Sequence, residues 1–232
     1  MNTFPGRWVG GTALVLGPVL LLTGTLLRSP FHFFFPDQLR AMAEHPGLMT
    51  AAYTTFAAGN VVLGLAVVAL AQRVARVRPA LAAWAGTFVV LGLFERTFHA
   101  GVDQAAQSLV RRRGPEFATE LVGASYGDPH LFSYLSFTIM FGWYLLAFAT
   151  YRSGELGIAR SVCLATAGLL PLGVLKGTEV VSIVGAVGLC VALVPLGVRV
   201  LRDGPRPNRT ATLVTVGALP LVGALAFAST LG

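Results

Sequence analysis

A chain of 232 residues is long enough for one or two soluble domains. Composition excludes that: 55% of it is hydrophobic, only 12% is charged and the mean hydropathy is +0.72, against roughly 25% charged residues in a soluble domain. The net charge of +7 does not indicate nucleic acid either, because the basic residues stand in short clusters between apolar runs with no RNA-reading or helix-turn-helix pattern beside them.

Several apolar runs approach or exceed the roughly 20 residues that cross a hydrocarbon layer about 30 Å thick. The fold class expected is all-α, a single-domain polytopic transmembrane helical bundle of about seven spans. The predicted spans cover about 8–27, 47–72, 80–110, 130–151, 159–176, 178–201 and 210–231. Met1 to Arg7 and the apolar run after it have the outline of a signal peptide. The run is too long and lacks a small-residue cleavage site, so it reads as a retained first helix. Pro18 should kink it.

Between Pro30 and Pro36, Phe31-His32-Phe33-Phe34-Phe35 is too short to span and too aromatic for a solvated loop, which fits a segment dipping into the headgroup layer. A short surface helix over Asp37 to His45 follows, with Asp37 as its expected N-cap. The third predicted span begins near Ala80 and is overlong. Arg111 to Asp128 reads as a polar connection containing Gly114-Pro115. Pro171, Pro195 and Pro220 recur in similar Leu/Val-Pro-Leu phrases that suit kinked, closely packed helices. Lys176 to Glu179 reads as a tight turn between the fifth and sixth spans. Cys163 and Cys190 read as buried small apolar groups.

Seven spans put the loops on alternating sides, and most basic residues outside the helices (the 73–78 loop, Arg152, Arg160 and the 199–209 connection) then share one side. By the positive-inside rule the N-terminus is cytoplasmic and the C-terminus outside, in a multi-pass plasma-membrane protein; the Arg111-Arg112-Arg113 triplet runs against that bias. All four histidines and eight of the ten acidic residues (all but Glu155 and Asp203) collect on the outer side.

Phe94 to Asp103 carries the chemistry. Ionisable groups within a membrane span are costly and face a partner or a cavity. Glu95, His99 and Asp103 recur every four residues along one face, with Arg96 at its edge. They are expected either to neutralise one another as a structural plug, or to line a pocket that opens outward. In the catalytic reading Glu95 is a general acid, Asp103 or Asp128 a second carboxylate and His99 a tuning group. Tyr53, Arg96, His130 and Tyr134 then bind the substrate, helped by Thr54 and Ser133. The reaction would be acid–base isomerisation or cyclisation of a lipophilic, polyprenyl-type compound. The competing class is a non-catalytic membrane component, an accessory, immunity or transport-associated subunit. A metal site built from Glu95, His99 and Asp103 with His130 or His32 is a weaker reading, since no paired metal-ligand motif is present.

No nucleotide-binding loop, serine-hydrolase motif or other cofactor signature occurs, so no cofactor is expected. The expected partners are membrane lipids and a lipophilic small molecule, and no nucleic acid. Gly173 and Gly177 form a Gly-x-x-x-Gly that suits close helix packing and is compatible with a homo-oligomer. The arginine triplet suits an anion such as a lipid headgroup or a diphosphate.

Overall fold

The computed structural model describes residues 4–203 and 209–230. The chain divides into two compact units, Met1–Leu201 and Arg202–Gly232. The described elements are α1 (Arg7–Leu27), α2 (Phe35–Glu44), α3 (Pro46–Ala75), α4 (Pro79–Arg113), α5 (Pro115–Ser125), α6 (Phe137–Arg152), α7 (Ile158–Ala165), α8 (Val180–Arg202) and α9 (Arg209–Ala228), with single 3-10 turns at Leu131–Tyr134 and Thr166–Leu169. Among the described residues five stretches are long and apolar enough to cross a membrane: α1, α3, α4, Leu131–Arg152 and α8. In the second unit α9 covers most of the last predicted span; residues 231–232 lie outside the described residues.

Prolines open α2, α3, α4 and α5. The first helical turn has no partner for its N–H groups, so proline is tolerated there. Gly114, at φ 88, ends α4 and allows Pro115 to start α5 at once. The expected polar connection after Arg113 therefore contains an 11-residue helix. Asp37 is not an N-cap. Pro36 moves the start of α2 to Phe35, and Asp37 instead pairs with His32 at 2.9 Å and Arg40 at 3.1 Å.

Within the first unit, α1, α3, α4 and α6 pack successively antiparallel, and α8 runs antiparallel to α1. The α1–α3 seam is set by glycine: a Cβ on Gly59 would lie 2.5 Å from the Leu21 backbone nitrogen, and one on Gly24 would lie 2.6 Å from that of Phe56. Overpacking costs about 1–3 kcal/mol. Gly59→Ala is accordingly expected to lower the melting temperature of detergent-purified protein, whereas Gly64→Ala, which meets nothing within 4 Å, should leave it unchanged or slightly higher. Equal effects would dismiss close backbone approach as the organising feature of this seam.

The largest apolar core joins Leu14, Leu63, Leu70, Val89, Leu146 and Leu189. A second core lies where α2 and α5 cap the C-terminal half of α4 and includes Leu39, Met49, Val110, Ala118 and Leu175. The two ends of the unit are marked by polar contacts. At one end Arg73 of α3 pairs with Glu155 at 2.7 Å, just before α7. At the other, Thr178 donates to the Thr25 carbonyl near the C-terminus of α1 at 2.7 Å.

The chain between these ends corrects the expected fifth span. Helix is kept only to Leu169. Residues 170–179 are irregular, with Gly173 at φ 91 and Leu175 at φ 51. Pro171 cannot donate a backbone hydrogen bond, and the two left-handed residues prevent the helix from resuming. The expected tight turn over Lys176 to Glu179 and the Gly173/Gly177 helix-packing motif both fall in this non-helical stretch. Gly177 has a different use: a Cβ there would collide with the Gln38 amide and the backbone of His32 and Phe33, while its N–H donates to the Phe33 carbonyl at 2.8 Å.

Candidate functional site

Irregular backbone buried in protein needs partners for its polar groups. For Leu170, Pro171, Leu175 and Lys176 polar side chains supply them. Arg96, 7% exposed, donates from Nη1 to the Pro171 carbonyl at 3.1 Å and from Nη2 to that of Leu170 at 3.3 Å. One of the carboxyl oxygens of Asp103, Oδ1, accepts from the Leu175 N–H at 2.6 Å, holding a buried leucine in a backbone region that β- and γ-substituted residues avoid. Arg28, 3% exposed, donates to the Lys176 carbonyl at 2.9 Å and to that of Gly24 at 3.3 Å.

These clamps leave a cavity of about 220 Å³ between the N-terminal half of α3, the C-terminal half of α4 and the broken segment. Its walls carry four basic side chains, Arg28, Arg96, Arg111 and Lys176, and one acid, Asp103. Among the described residues none of the four has a carboxylate oxygen within 4.0 Å. Aromatic rings take that place for two of them. The Arg28 guanidinium lies 4.7 Å from the ring centroid of Tyr53 and 4.4 Å from that of Phe56. The Lys176 ammonium lies 5.1, 5.3 and 5.4 Å from the rings of Phe33, Phe34 and Tyr126. Cation–π contacts hold a charge in place without neutralising it. Tyr53 donates to Gln38 Oε1 at 2.9 Å, and Gln38 donates to the His32 carbonyl at 2.5 Å, which fixes this wall. The cavity is therefore preformed and electropositive.

The α4 cluster, expected either to neutralise itself or to line a pocket, is divided: Glu95 and His99 stay near each other while Arg96 and Asp103 turn to the broken segment. Arg96 spends its donors on backbone carbonyls and Asp103 accepts from a backbone amide. Glu95 is 0% exposed and faces α6, where Ser136 donates to its Oε1 at 2.7 Å; His99 Nε2 stands 3.8 Å from the same oxygen. Glu95 Oε2 is buried without a hydrogen-bond partner. Tyr53, Arg96, His99 and Asp103 line the cavity together with Thr54; Glu95, His130 and Tyr134 do not. His130 instead caps the turn at Leu131–Tyr134, where its backbone N–H donates to Ser133 Oγ at 3.2 Å, and its ring packs on Phe98 with centroids 4.9 Å apart. Tyr134 is 73% exposed. The i, i+4 spacing is real, but Glu95 leans toward α6 while Asp103, two turns on, lies beyond the packing of α6 and meets the broken segment.

Among the described residues no three His, Cys, Asp or Glu side chains converge as a metal set requires. Arg28, Lys176 and Ser136 are site residues that sequence reasoning passed over. A signal existed for one: Lys176 is the single lysine in a chain whose other basic residues are all arginine. Comparison of the chain with family models, with curated proteins and with solved structures gives no match.

Proposed function

We propose that this is a multi-pass membrane protein whose cavity binds an anionic group. The observation that supports it is the set of basic side chains around a preformed cavity, two of them nearly fully buried, with a single acid among them. Buried charges with no carboxylate at ion-pair distance are costly, and an anion entering the cavity supplies a closer counter-ion. The broken passage from Ile158 to Thr178, counted as a discontinuous span, keeps the seven-span arrangement with α9 as the last. In the orientation set by the loop arginines the N-terminus is cytoplasmic, the membrane is the plasma membrane and the cavity faces outward.

The test is direct titration of detergent-purified protein with inorganic phosphate and diphosphate. Lys176→Gln removes a wall charge and should weaken binding about tenfold, a loss of about 1.4 kcal/mol. Asp103→Asn keeps an oxygen for the Leu175 amide and removes the opposing charge, so it should tighten binding severalfold. No binding by the wild-type protein, or weaker binding by Asp103→Asn with Lys176→Gln unchanged, would sink the anion reading.

A second reading has a specific observation in its favour: Asp103 and His99 both line the cavity, with Glu95 directly behind His99. In it the bound compound undergoes acid–base isomerisation or cyclisation, Asp103 and His99 moving the proton and Glu95 setting the charge on His99. The same variant separates the two. Asp103→Asn would bind tighter in both readings, but would lose turnover only in the second.

A further inference from the structure

Farther along the same pair of helices from the cationic cavity lies an apolar recess. This groove, about 480 Å³, lies between the C-terminal half of α3 and the N-terminal half of α4 and is lined by Val67, Val68, Ala71, Gly86, Val90 and Leu91, among others. Apart from Phe56, the α3 residues of the cavity are Thr50, Tyr53, Thr54, Ala57 and Asn60; those of the groove are Val67, Val68, Ala71, Gln72 and Ala75. Steps of three and four residues put both sets on one face of α3, along about 38 Å of helix at 1.5 Å per residue. Between them, over about 10 Å, stands Gly64 on the same face, where an added Cβ would meet nothing within 4 Å. Asn60 joins α3 to α4 at this level by donating to the Leu93 carbonyl at 3.1 Å. A polar, electropositive recess and an apolar one thus follow each other along a single face of α3, and an added Cβ on Gly64 between them would meet nothing within 4 Å.

We infer that the two recesses hold one amphiphile, a lipid whose phosphate headgroup sits among Arg28, Arg96 and Lys176 and whose hydrocarbon chain lies past Gly64 in the α3–α4 groove. The inference rests on the anion-binding reading and names its ligand class. Phosphate suits the headgroup site because four basic side chains exceed what one carboxylate balances. The chain suits the groove because only Gln72 and Thr87 among its lining residues carry polar side chains.

The experiment uses the full chain in phosphatidylcholine nanodiscs containing a trace of phosphatidic acid with a diazirine in its acyl chain. After irradiation, peptides spanning Val67–Ala75 and Pro79–Leu91 should carry adducts about tenfold above those from a phosphatidylcholine bearing the same photoreactive chain, a preference of about 1.4 kcal/mol for the headgroup. Unlabelled phosphatidic acid should compete. Gly64→Phe, which blocks the junction, and Ala83→Phe, which fills the groove from an exposed position, should each remove most of this labelling while inorganic phosphate still binds as in the wild type. Either variant suffices if the other does not fold. Adducts spread equally over the lipid-facing surface, or unmoved by both variants while phosphate binds, would overturn the tail groove and leave the anion pocket standing. Adducts between two protein chains at the groove would assign it to a second copy and overturn the lipid as well. Failure of both phosphate and phosphatidic acid to bind would remove the pocket reading itself.

Discussion

Arg96→Leu is expected to lower the unfolding free energy by roughly 3–6 kcal/mol, since two hydrogen bonds from a charged donor are lost at about 1.5–3 kcal/mol each. The Leu170 and Pro171 carbonyls have no helical partner once the helix stops at Leu169, and Arg96 is the group that satisfies them. Leucine leaves both buried and unpaired. The effect should be local before it is global: amide exchange over residues 172–178 should accelerate by orders of magnitude, because that stretch depends on side-chain clamps and not on a helix ladder. Arg96→Lys keeps a charge but presents a single ammonium in place of the fork, and should recover only part of the stability. Wild-type protection over 172–178 in Arg96→Leu would mean that the broken segment is held by packing and not by the clamp.

This dependence explains which features were legible in the chain and which were not. Long apolar runs closed by arginines or prolines gave α1, α3, α4 and α8 within a few residues of their observed bounds, because membrane-length apolarity leaves helix as the only satisfied backbone. The same logic misplaced 170–178. Leu170 to Leu175 is as apolar as its neighbours, and nothing local says that Arg28, Arg96 and Asp103, distant in sequence, supply the missing hydrogen bonds. Arg28, one residue past the first predicted span, is unremarkable in the sequence for the same reason. It follows α1 directly, and only the return of Lys176 to that end of the unit, with Tyr53 and Phe56 closing over it, turns it into a buried wall residue.

The α4 cluster was legible as a polar site in an apolar helix, but not in its division. Helical spacing puts Glu95, His99 and Asp103 on one face, yet what that face meets changes along the helix. Around Gly92, α6 packs so closely that a Cβ there would stand 2.9 Å from Ile139 Cα, so Glu95 one turn on is sealed against Ser136. By Asp103 the neighbour is the broken segment. Residues three or four apart share a face; they do not necessarily share a partner.

Arg28→Met should have the largest effect on ligand binding, a loss of phosphate and diphosphate affinity on the order of a hundredfold, about 2.7 kcal/mol. Arg28 is buried, lines the cavity and is oriented from both sides by rings and by the Gly24 and Lys176 carbonyls, so its charge reaches a bound anion with little screening by solvent. Methionine fills the slot between Tyr53 and Phe56 without charge or donors. Stability should fall too, by on the order of 2 kcal/mol for the backbone contact to Lys176, so affinity alone would not separate binding from folding. Arg28→Lys does: it preserves a cation between the rings but loses the fork that grips the Lys176 carbonyl. If Arg28 serves the anion, Arg28→Lys should regain most of the affinity while its melting temperature stays near that of Arg28→Met. If Arg28 serves only the broken segment, affinity and melting temperature should fall and recover together, and the cavity would have to be read as a structural void closed by cations.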